Sequence, residues 1–174
     1  MSSDAEENDF IHKMLLTNNI KVENGRLLLL GRPGLLLNAN IFASVLGKLM
    51  EYSSNDIYEL GGFSVNDIAL DYKKRFKDQS SITDLLKNVV SSTGIGSLSV
   101  GFFKDQILIE LFPSVLAESH IKLFGLSDKP VCFLSAGAFN SILSTVFDKP
   151  YSTREVECVA QGKQKCKFIC EEQK

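Results

Sequence analysis

The chain has no tryptophan, only two histidines and four prolines, and no apolar run of eighteen or more residues. A membrane-spanning helix needs about 20 consecutive apolar residues, so membrane insertion is not expected. The opening Met1-Ser2-Ser3-Asp4-Ala5-Glu6-Glu7 lacks the basic and apolar regions of a secretory signal. A cytoplasmic setting is therefore expected, in which thiols stay reduced and free to bind metal. A net charge of −2 gives no field that would draw in nucleic acid or an anionic membrane surface. His12 and His120 lie far apart, and no Ser, His and Asp grouping carries a nucleophile elbow. Gly31-Arg32-Pro33-Gly34 is not followed by the Gly-Lys-Ser/Thr of a phosphate loop, and no dinucleotide fingerprint occurs. These absences point away from an enzyme and toward a binding or regulatory role.

What is present suits one globular domain: 174 residues can bury a core without disulfide staples. Residues 1–8 are acidic and expected to be disordered, leaving 9–174 as a single domain. Phe10, Ile11, Met14 and Leu15 recur at helical spacing. Asn24-Gly25 between apolar runs predicts a short hairpin, ended by Gly31-Arg32-Pro33-Gly34. Helices are expected at 41–52, at 64–76 after Gly61-Gly62, and from Ser81 or Thr83 up to the Thr93-Gly94-Ile95-Gly96 stop. Strands are expected at 97–102 and 106–112, then a helix at 114–124. The apolar stretch 131–147 is too long for a surface strand and is expected to be a helix packed on the sheet, with Cys132 near its start.

Chemistry concentrates in the last quarter. Around Gly162, Val, Ile, Cys and Phe alternate with charged residues, which reads as two short strands joined by a polar loop. Folding this segment symmetrically about Gly162 sets Cys158 opposite Cys166, close enough for both sulfurs to share one ion. Glu155 supplies a carboxylate and Cys132 a third thiolate if its helix lies over the strand pair. Three sulfurs and one oxygen form a closed shell that suits structural zinc. Residues three apart on a regular strand face opposite ways, so Glu155 and Cys158 converge only across a bulge or strand end. The same cysteines also suit plain core packing, and a Cys158–Cys166 disulfide is sterically feasible. With the strands at 97–102 and 106–112, the pair around Gly162 makes a four-stranded antiparallel sheet. The fold class is thus α+β: that sheet covered by helices, with an additional short N-terminal hairpin.

The pattern Glu155-x-x-Cys158-x-x-x-Gly162-x-x-x-Cys166-x-Phe168, preceded by Cys132 and an apolar segment with Gly137, resembles the C-terminal signature of the vinyl-4-reductase domain family. That family includes the sensor domains of phenol- and xylene-responsive activators and is similar in fold to a subunit of the Golgi transport-particle tether. In the aromatic sensors a zinc ion is held by three cysteines and a glutamate, whose spacing matches Cys132, Glu155, Cys158 and Cys166. The resemblance implies a zinc-containing domain that binds a small hydrocarbon or aromatic molecule in an apolar cavity and pairs as a homodimer. Phenol sensors read ligand polarity partly with a tryptophan, so its absence here favours a more apolar ligand. The resemblance also leaves open a tether-like adaptor, or an accessory to tetrapyrrole vinyl reduction.

Overall fold

The computed structural model describes residues 20–29, 32–34, 37–74 and 79–173. The expected acidic tail at 1–8 and the helical pattern at 9–16 lie outside these residues. The chain divides into two compact units, Met1–Asn38 and Ala39–Lys174.

In the first unit, β1 (Ile20–Glu23) and β2 (Arg26–Leu29) pair antiparallel across Asn24-Gly25. Both turn residues have positive φ, 51° and 75°, as a two-residue type I′ turn demands. The Gly-Arg-Pro-Gly segment does not simply end this hairpin. Arg32–Gly34 forms β3 on the free side of β2, with Pro33 opposite Leu28. Proline is tolerated there because β3 is an edge strand and its missing N–H can face outward.

The second unit runs α1 (Ala39–Met50), α2 (Ser54–Lys73), α3 (Gln79–Thr93), β4 (Gly96–Phe102), β5 (Ile107–Ser114), α4 (Val115–Phe124), α5 (Phe133–Phe147), β6 (Tyr151–Glu157) and β7 (Cys166–Glu172). Its sheet is antiparallel in the order β4-β5-β7-β6. Ile107, Ile109 and Leu111 on β5 alternate with more exposed neighbours, as do Cys166, Phe168 and Cys170 on β7. That alternation buries one face of the sheet under α3 and α5. Ile82, Leu86, Ile109, Phe139, Ile142 and Phe168 are each no more than 1% exposed and fill the space between. Phe139 meets Phe168 edge-on at 5.1 Å, a favoured aromatic geometry. Among the described residues no helix is long and apolar enough to cross a membrane.

Two helix starts differ from expectation. α2 begins at Ser54, ten residues before the expected start, with the Ser53 hydroxyl accepting the Asp56 N–H at 3.1 Å. Gly61-Gly62 looks like a break in sequence, but it sits inside α2 where α2 crosses α5. A Cβ at Gly61 would collide with the Leu134 carbonyl, and one at Gly137 with the Tyr58 carbonyl. Glycine is needed here for close backbone approach. α3 begins at Gln79, so Ser81 and Thr83 lie within it and do not cap it.

Candidate metal centre

Three segments converge at one end of the sheet. Cys132 is the N-cap of α5, Glu155 lies on β6, and Cys158 precedes a 3-10 turn (Val159–Gln161) that leads toward Cys166, the first residue of β7. Glu157 pairs with Lys167, so the strands do mirror about Gly162, whose φ of +78° closes the connection. Glu155, however, pairs with Phe168, and the register slips between Glu155 and Glu157. This bulge inserts one extra residue, which brings Glu155 and Cys158 to the same face.

The Sγ atoms form a nearly regular triangle: 3.9 Å from Cys132 to Cys158, 3.6 Å from Cys132 to Cys166, and 3.8 Å from Cys166 to Cys158. Thiolates bonded to one tetrahedral zinc at about 2.3 Å stand about 3.8 Å apart. One ligand atom from each of the four residues lies within 4.8 Å of the others. Glu155 Oε2 accepts the backbone N–H of Cys132 at 2.9 Å, which fixes the carboxylate. Glu155 Oε1 is buried with no hydrogen-bond partner among the described residues. A buried, unsatisfied carboxylate oxygen beside three thiols is costly unless a cation meets it. The donor set fits a soft, closed-shell divalent ion.

The electrostatics are those of a crowded acidic cluster. Burial pushes the Glu155 carboxyl up to about 8, with the Cys166 charge adding to the effect. Hydrogen bonds to Cys158 and Cys166, together with burial, push the Cys132 thiol well above its ordinary value. A hydrogen bond from Cys132 draws Cys158 down, but its own bond to Cys166 and its burial outweigh this and raise it. Cys166 moves the other way, because Cys132 and Cys158 both donate to it, helped by Ser114 and the Val159 N–H at 3.3 Å. Negative charge thus collects on one sulfur while its neighbours hold protons, which a metal ion would displace.

The structure brings together all four residues singled out from the sequence. Spacing did not reveal the supporting groups: Ser114, whose Oγ lies 3.7 Å from Cys132 Sγ, and the amides of Cys132 and Val159. Backbone donors leave no mark in a sequence. Ser114 stands out only once β5 is seen to deliver it there. Cys170 shares the buried face of β7 but stands apart from the cluster, its thiol pushed up to about 11 by burial. His120 is half-buried on α4, 5.0 Å from Phe124, and burial lowers its pKa. His12 lies outside the described residues.

Fold and cluster together define an α+β domain with a buried three-thiol, one-carboxylate centre. Residues 114–172, which hold all four donors, match the model of the vinyl-4-reductase domain family. No curated protein matches the sequence. Among solved structures, the chain is similar to the phenol-responsive sensory domain of the transcription activator PoxR, bound to phenol. That match has a TM-score of 0.75 at 15% identity and covers 99% of this chain and 91% of the other. A vinyl-4-reductase family protein from Methanocaldococcus jannaschii matches at TM-score 0.57 and 19% identity, covering 81% and 85%. A trafficking protein particle complex subunit 3 from Naegleria fowleri, covalently bound to palmitic acid, matches at 0.57 and 12%, covering 79% and 96%. At these identities the likeness is one of fold.

Proposed function

We propose that this chain is a small-molecule-sensing regulatory domain whose C-terminal hairpin is held to α5 by a structural zinc ion at Cys132, Glu155, Cys158 and Cys166. The observation that carries the metal reading is the triangle of sulfurs at zinc-like spacing around a carboxylate oxygen that no described residue satisfies. The sensing reading is supported by the fold shared with a phenol-responsive domain. When bound, zinc would supply a central positive charge and no open position for substrate. The ligand class is a hydrocarbon or aromatic molecule, and the setting is cytoplasmic. Metal analysis with native mass spectrometry of the purified protein tests both halves. One zinc per chain and a co-purified small apolar molecule are the expected results. Metal-free protein whose melting temperature is unmoved by chelator and zinc would overturn the metal reading.

A homodimer or adaptor role draws on a different observation. Ile41, Val45 and Leu49 repeat one turn apart on α1 and are 58%, 52% and 43% exposed. Sedimentation at tens of micromolar separates these readings: a dimer supports self-pairing through helices, and a monomer removes it.

A further inference from the structure

A groove of about 600 Å³ opens where α2, α5 and β6 meet, on the free edge of the sheet. Pro130, Phe133 and Tyr151 contribute apolar surface, while Tyr58, Asn140 and Arg154 contribute polar groups. The hydrogen-bond inventory there is unbalanced. The Tyr58 hydroxyl accepts the Thr153 N–H at 3.4 Å, and its own proton has no acceptor among the described residues. Asn140 Oδ1 accepts from the Thr153 hydroxyl at 3.4 Å, and the amide NH₂ likewise has no partner there. The Arg154 guanidinium is 59% exposed and reaches only Glu171, at 4.0 Å, the outer limit of an ion pair. Three donor groups on one apolar-walled groove therefore lack close acceptors among the described residues. Glu155 also borders the groove, but its Oε2 is taken by the Cys132 amide and its carboxylate belongs to the thiol cluster.

Such a groove suits a ligand with an apolar body and an acceptor-only head. A carboxylate offers two oxygens that accept from guanidinium, amide and phenol donors together, which no neutral hydrocarbon does. We propose that this groove is a second small-molecule site that binds a carboxylic acid with an aromatic or short aliphatic body, its carboxylate facing Tyr58, Asn140 and Arg154. It is separate from the apolar interior under α3, so its occupant and an interior hydrocarbon can be bound independently.

The test is a titration of the ¹⁵N-labelled protein with benzoate, and with benzyl alcohol as the uncharged analogue. Both are run against wild type, Arg154→Gln and Asn140→Leu. Benzoate is expected to shift the amides of Tyr58, Asn140 and Arg154, and benzyl alcohol to bind roughly tenfold more weakly. Arg154→Gln is expected to weaken benzoate by a similar factor, as when the partner of a charged hydrogen bond is lost. Arg154 is exposed, so this variant is expected to fold, and its amide spectrum and melt serve as the control. Benzoate shifts that map elsewhere, or an affinity unchanged in both variants, would overturn the site. Benzyl alcohol bound in the interior, with equal affinity in all three proteins and no benzoate response at the groove, would leave the sensing reading standing and remove this one.

Discussion

Two adjacent glycines on α2 offer a test in which neighbouring substitutions move stability in opposite directions. At Gly61 a Cβ would run into the carbonyl of Leu134, main-chain atoms that cannot swing aside as a side-chain tip can. The helices would have to part by roughly 1 Å, and overpacking of this kind costs about 1–3 kcal/mol. Replacing an interior helical glycine by alanine returns about 0.5–1 kcal/mol in backbone entropy. The net for Gly61→Ala is thus a loss of about 1–2 kcal/mol, a melting temperature about 2–8 °C lower for a domain of this size. At Gly62 the nearest atoms to a new Cβ are the Gly137 carbonyl oxygen and Ser141 Cβ, each at 3.5 Å, an ordinary contact. Gly62→Ala is therefore expected to stabilise by up to about 1 kcal/mol. Urea unfolding followed by far-ultraviolet circular dichroism reads both variants. If Gly61→Ala matches wild type, or both variants shift the same way, the helix crossing is not as close as described.

Cys158→Ser is expected to lower zinc affinity by more than about 100-fold, beyond the loss typical of a residue that only supports a ligand, as read by a chromophoric chelator competition. In metal-free protein the Glu155 carboxyl is raised, so the folded state holds a proton that the unfolded chain has released. Stability then falls as pH rises from the ordinary carboxylate range toward about 8. Urea midpoints across that window in chelator should show the decline, and Glu155→Gln should flatten it. Phe139→Ala removes a side chain that is 1% exposed and stacked edge-on against Phe168, so a loss of about 3–5 kcal/mol is expected in the same unfolding assay.

The metal centre was legible because its positions are tied to a local mirror. Cys158 and Cys166 stand at equal distances from Gly162, and a two-strand connection is a short-range event that alternation and turn residues report directly. The face conflict at Glu155 was also legible, as a required irregularity, and the register slip before Glu157 is where it is resolved. The start of α2 was not legible, since Gly61-Gly62 reads as a break unless α5 is known to press against it. β3 escaped notice because Pro33 argues against a strand everywhere except at an edge, and edges are set by neighbours. The groove beside β6 is assembled from α2, α5 and β6, and no periodicity within one segment signals a space between three.

The strand order carries a consequence for synthesis. β7 follows all of its neighbours in the chain yet lies in the sheet interior, bonded to β5 on one side and β6 on the other. Until it has emerged from the ribosome, β5 presents an open row of amides and carbonyls beside a largely apolar face, and β6 has nothing to join. Such a nascent intermediate is exposed to mispairing with other chains. Cys166 opens β7, so the docking that completes the sheet also delivers the final sulfur.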